Sequence, residues 1–90
     1  MHTARVVICN KLGLHARPAM TFVETASRFS AQVTVKRADA DETVDGKSIM
    51  HMLLLAGTCG TELEIQANGA DEAQAVEALV KLVENRFDEE

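Results

Sequence analysis

The fold turns on Thr61-Glu62-Leu63-Glu64-Ile65-Gln66-Ala67. Apolar and polar residues alternate with the two-residue period of a β-strand, so Leu63, Ile65 and Ala67 share one face and Glu62, Glu64 and Gln66 the other. Such a strand belongs to a sheet with one wet face. Gln32-Val33-Thr34-Val35-Lys36 repeats the alternation, and Arg5-Val6-Val7-Ile8-Cys9, bounded by Asn10, is a β-branched strand. A shorter strand, Glu42-Thr43-Val44-Asp45, follows the polar turn Ala38-Asp39-Ala40-Asp41 and pairs as a hairpin.

Helical spacing fills the gaps between the strands. From Ala16 to about Arg28 the apolar residues Ala19, Phe22, Val23 and Ala26 form one stripe, with Thr21, Glu24, Thr25 and Arg28 left to face water. Ser48 is a good N-cap for a short helix that runs from Ile49 to Leu55. The last element opens after Gly69: Asp71 with Gln74 resembles a capping box, and Val76, Leu79, Val80, Val83 and Phe87 continue along one face. The order is βαββαβα, and an apolar sheet face must be covered by the helices. The expectation is an α+β fold, an open-faced two-layer β-sandwich, as a single domain over residues 1–90.

Ninety residues and 47% apolar content are enough for one small core without staples. Trp and Tyr are absent, so aliphatic residues and Phe22, Phe29 and Phe87 must fill it. Nine basic against fourteen acidic residues give a net charge of −5, which argues against a nucleic-acid partner. Cys9 and Cys59 have no metal-ligand spacing, so no metal is expected and both are read as buried free thiols. No leader-like segment precedes the first strand and no apolar run approaches the ~18 residues of a membrane span, so a cytoplasmic location with no membrane partner is expected.

The chemistry concentrates in Gly13-Leu14-His15-Ala16-Arg17-Pro18-Ala19. Proline is tolerated only in the first turn of a helix, so Pro18 places a helix start beside His15. The backbone amides of Ala16 and Arg17 then point outward, and the positive end of the helix dipole disfavours imidazolium and welcomes an anion. His15 is thus read as a phosphoryl-handling nucleophile, with the Ala16 and Arg17 amides and the Arg17 guanidinium as the phosphate-binding groups. Gly13 permits an unusual backbone turn just before it.

Ile49-Met50-His51-Met52-Leu53-Leu54-Leu55-Ala56 is apolar on nearly every side, more than a short helix on a sheet can bury. Leu53 and Leu54 are assigned mainly to packing, and Ile49, Met50 and Met52 to partner contact. Met20 is placed equally well for contact or core. Ser48 is a plain N-cap by physics alone, though a phosphate there would sit on the helix start, spare the fold and block docking through its charge. His2 is read as a mobile terminal residue and His51 as a solvated position on the second helix.

Taken together, Gly13-Leu14-His15-Ala16-Arg17-Pro18-Ala19, then Gly46-Lys47-Ser48-Ile49-Met50, resemble the histidine-containing phosphocarrier (HPr) family of the bacterial phosphoenolpyruvate:sugar phosphotransferase system. The resemblance runs nearly end to end and includes Ala67-Asn68-Gly69-Ala70-Asp71-Glu72. It implies a four-stranded antiparallel sheet with three helices on one face. It further implies phosphorylation of His15 at Nδ1 by enzyme I, transfer to EIIA proteins, and Arg17 as counter-charge. Ser48 matches the position modified by a serine kinase, and the patch beginning at Ile49 would be the docking surface of a monomeric carrier that needs no cofactor and is not itself an enzyme. The sequence departs from the family's pattern in a longer hairpin turn between Val35 and Val44, in Leu12, where some members carry a small polar residue, and in the acidic end Asp88-Glu89-Glu90. Two other readings stay open at this point: a regulatory homologue, in nitrogen-related or catabolite-control signalling, and a small interaction module in which His15 merely caps a helix.

Overall fold

The computed structural model describes residues 1–55 and 57–88; Ala56 and the acidic residues Glu89 and Glu90 lie outside the described residues. The strands are β1 (His2–Val7), β2 (Gln32–Arg37), β3 (Val44–Asp45) and β4 (Glu62–Asn68), and the helices α1 (Ala16–Ala26), α2 (Ile49–Leu54) and α3 (Glu72–Glu84). All strand pairs are antiparallel, in the order β1-β4-β2-β3. The β4 alternation translates directly into burial. Leu63 and Ile65 are 0% exposed and Ala67 1%, whereas Glu62 and Asn68 are exposed. Across the register, Leu63 faces Val6, Ile65 faces Ala4 and Val35, and Ala67 faces Val33. Phe22 of α1, Met52 of α2 and Leu79 and Val83 of α3 close the same face, so the sandwich is open on the other side.

Strand β1 begins earlier than its β-branched run, because His2 and Thr3 find partners in Ala67 and Gln66 of β4. Beyond Val7 the pairing passes into a bulge: Ile8 N–H donates to Thr61 O at 2.9 Å while Gly60 N–H donates to Ile8 O at 2.7 Å. Gly60, at φ +94, supplies the left-handed residue of the turn closed by Thr61 N–H on Thr58 O. Cys59 occupies the exposed first corner of that turn, so the expectation of two buried thiols fails for it, and Cys9 is only half-buried. The Cys9 thiol lies 3.5 Å from the Val83 and Glu84 carbonyls, where it can donate to the end of α3.

The capping box expected at Asp71 and Gln74 is not formed. Asp71 occupies the N-cap of α3, but its carboxylate turns to the loop between α1 and β2, accepting from Ser30 N–H (2.9 Å), Ala31 N–H (2.8 Å) and Ser30 Oγ (3.3 Å). These loop amides have no strand partner, and satisfying them outweighs a local cap. The donors, the Ser30 amide foremost, hold the Asp71 carboxyl below the usual carboxylate range. Glu72 instead reaches back to Gly69 N–H at 3.2 Å, and its other oxygen meets the Met1 ammonium at 2.8 Å. Those contacts, with the ammonium first, lower its pKa as well.

Phe87 is buried, as its spacing suggested, but not by continuing α3. The helix stops at Glu84, and Arg86, Phe87 and Asp88 adopt φ of 55–59°, a left-handed turn that tucks the ring back to 3% exposure. Glu77 and Lys81 form an i,i+4 pair at 3.2 Å on the exposed face.

Candidate functional site

The loop that carries His15 is built from a tight turn. Gly13 N–H donates to Asn10 O (3.2 Å), the Asn10 Nδ2 donates to Gly13 O (2.7 Å), and His15 N–H donates to that same carbonyl (3.0 Å). Gly13 stands at φ +71, and a Cβ there would lie 2.5 Å from Gly57 O. Leu14 anchors the loop in the core at 5% exposure, with its N–H on Gly57 O at 2.8 Å.

His15 is the N-cap residue of α1, at φ −89 and ψ −170, and its carbonyl accepts the first helical bond from Ala19 N–H at 3.0 Å. Its side chain does not cap the helix. Pro18 falls in the first turn, where a missing N–H costs nothing, and is buried. Ala16 and Arg17 are exposed, and no acidic side chain lies in the first turn to offset the positive end of the dipole. The imidazole is half-buried, with Nε2 sealed from solvent. A partly reachable ring at an uncompensated helix N-terminus, two residues from a guanidinium, is equipped to receive and hold an anionic group.

Helix α2 packs against α1. Ser48 caps it as the sequence indicated, its Oγ accepting from His51 N–H at 3.3 Å. His51 is exposed, and its Nδ1 accepts from Asp45 N–H at 3.2 Å. Ile49 and Met50 are exposed at 37% and 76%, as is Met20 on α1 at 48%. Met52 is a correction: assigned to partner contact, it is 0% exposed and part of the core. Leu53 and Leu54, assigned to packing, are exposed. The reason is helical geometry. At about 100° per residue, Met52 and Leu55 share the inward face, which turns Leu53 and Leu54 outward. Leu12, on the His15 loop, adds a further exposed apolar side chain.

Sequence reasoning passed over Asn10, which is 0% exposed despite its polarity, and Lys47, whose ammonium donates to Phe29 O at 2.8 Å and ties the start of α2 to the loop after α1. The only signal for Asn10 was its place three residues before a glycine, the pattern of an Asn-initiated turn. Among the described residues no cluster of His, Cys, Asp and Glu is suited to a metal ion, and no helix is long and apolar enough to cross a membrane.

Comparison with known proteins finds a match to the family model described as "PTS HPr component phosphorylation site", over residues 2–85. The phosphocarrier protein HPr of Pseudomonas putida is 48% identical over 89 residues, covering 99% of this chain and 98% of its own. Among solved structures, HPr-C-His from Thermoanaerobacter tengcongensis is similar with a TM-score of 0.92 at 44% identity, covering 100% of this chain and 99% of its own. Crh, the Bacillus subtilis catabolite repression protein, described as a swapped dimer, has a TM-score of 0.74 at 38% identity and covers 96% and 97%.

Proposed function

Because this chain belongs to the HPr family of phosphocarrier proteins, we propose that His15 accepts a phosphoryl group from phosphoenolpyruvate-charged enzyme I and passes it to sugar-specific EIIA proteins. The observation that carries this reading is the half-buried imidazole at the N-cap of α1, with no acidic residue in the first turn. The Nδ1 lone pair attacks phosphorus as the bond to the donor breaks, and the ring proton stays on Nε2. Shielding of Nε2 supports that choice of nitrogen. The incoming negative charge meets the amides of Ala16 and Arg17 and the Arg17 guanidinium. Each favourable charge at an exposed helix terminus contributes only ~0.3–1 kcal/mol, a weak hold that suits a group destined to be handed on. His15 supplies the covalent intermediate, and the partner proteins supply the rest of the catalytic apparatus.

Ile49 and Met50, with Met20, form the docking surface for enzyme I and EIIA, and their exposure supports this. Ser48 is a regulatory phosphorylation site for an ATP-dependent serine kinase. Its place at the start of α2, next to exposed Ile49 and Met50, supports that role, since a phosphate there would charge an apolar contact. The likeness to Crh, a catabolite repression protein, supports a second reading, in which this chain serves catabolite-control signalling instead of uptake.

Incubation with enzyme I and phosphoenolpyruvate, followed by intact and peptide mass spectrometry, tests the proposal. One acid-labile phosphate on His15, absent from His15→Ala, is the expected result; full labelling of His15→Ala overturns it. Parallel incubation with ATP and a serine kinase tests Ser48, and addition of an EIIA protein separates uptake from signalling.

A further inference from the structure

Asn10 is the fully buried polar side chain among the described residues of the core, and its amide donates to the Gly13 carbonyl at 2.7 Å. That carbonyl also receives the His15 N–H at 3.0 Å, while Gly13 returns its own N–H to Asn10 O at 3.2 Å. Two donors therefore converge on one oxygen, and one of them is the backbone of His15. The Gly13 peptide plane is fixed on its oxygen side by Asn10, and on the other flank by Gly57, whose carbonyl holds Leu14 N–H at 2.8 Å.

We infer that Asn10 is a positioning residue for phosphoryl transfer: its side-chain amide sets the orientation of the Gly13 carbonyl, and through it the backbone of His15 and the angle at which the imidazole stands over the first turn of α1. The inference rests on the proposed role of His15 and extends it to a group that touches neither the phosphoryl donor nor the acceptor. Without the Asn10 amide, the Gly13 carbonyl loses one of the two donors that converge on it, and the peptide is freer to rotate together with His15. Misplacement of a reacting group by even 1 Å costs on the order of 10²-fold in rate, so a partial loss of restraint should cost about tenfold. Docking would be untouched, because Asn10 is buried and contributes nothing to the exposed surface.

The test uses the full chain with enzyme I and phosphoenolpyruvate, measuring initial rates of His15 phosphorylation over a range of carrier concentrations. Asn10→Ala removes the donor and its volume; Asn10→Leu removes the donor and keeps the volume. Both variants are expected to lower kcat by about tenfold with KM within about twofold of wild type. Hydrogen exchange of the His15 amide should accelerate in both, while the amides of Val33 and Ile65 keep their protection. A wild-type rate in Asn10→Leu, whatever Asn10→Ala does, reduces the residue to packing and overturns the inference. So does loss of the fold in both variants, or a rise in KM with kcat unchanged. Failure of the wild-type chain to take phosphate on His15 would instead refute the carrier role, and is read separately.

Discussion

Replacing Gly13 with alanine tests whether the His15 loop is held by backbone geometry, and the structure supplies its own control. At φ +71 any residue with a Cβ is strained, by about 1–2 kcal/mol. The added Cβ would also stand 2.5 Å from Gly57 O and 2.8 Å from Thr58 Cα, both backbone atoms that cannot swing away as a flexible side chain would. Relieving such a contact costs about 1–3 kcal/mol in a well-packed region. The total is about 2–5 kcal/mol, or a drop of roughly 8–40 °C in Tm for a domain of this size. Gly60, at φ +94, has nothing within 4 Å of the equivalent Cβ. Gly60→Ala should therefore carry the conformational cost alone, about 1–2 kcal/mol. Thermal melts followed by circular dichroism measure both, and the rate of His15 phosphorylation by enzyme I measures the consequence for the site. Gly13→Ala should be slower on the order of 10²-fold even well below its melting temperature, since the His15 loop must move to clear Gly57. Equal melting temperatures for the two variants, with an undiminished rate in Gly13→Ala, would refute the claim that Gly57 braces the loop.

Two further outcomes follow from packing and charge. Met52→Ala should lose about 2–5 kcal/mol of stability by denaturant unfolding, as a fully buried methionine does; Met50→Ala should stay within about 0.5 kcal/mol and instead raise the KM for enzyme I. The Asp71 and Glu72 carboxyls have lower pKa values folded than unfolded, so the stability they contribute is present above the ordinary carboxylate range and drains away as pH falls through and below about 4. Melts between pH 7 and pH 2.5 should show this loss, and Asp71→Asn should be less stable at pH 7 with a shallower dependence below pH 5; an unchanged slope would remove Asp71 from the account.

Much of the architecture could be read locally, for identifiable reasons. The β4 alternation reports a half-buried strand because its period is set by the backbone itself. Pro18 and Ser48 mark helix starts because each bears on the first-turn amides, one by lacking an N–H and the other by accepting one. The misreadings lie where a distant partner decides. Asp71 abandons its own helix for Ser30 and Ala31 across the fold, and His2 is strand only because Ala67 stands opposite. Met52 was misassigned because α2 is too short and too uniformly apolar for periodicity to fix which side faces inward. At the site, His15 and Arg17 were visible as chemistry-bearing types. Asn10 was not, since its place three residues before Gly13 marks a turn but does not announce a polar side chain 0% exposed within an aliphatic core.

The sheet order has a bearing on biosynthesis. The strand between β1 and β2 is β4, the last of the four to be made, and β1 pairs with it across most of the chain. While the ribosome is still extending the polypeptide, β1 has no neighbour, and the Gly57 carbonyl that steadies Leu14 has only just been added. Contacts so distant in sequence form slowly and late. A nascent chain would carry its histidine from early in translation but lack the frame that presents it at the start of α1.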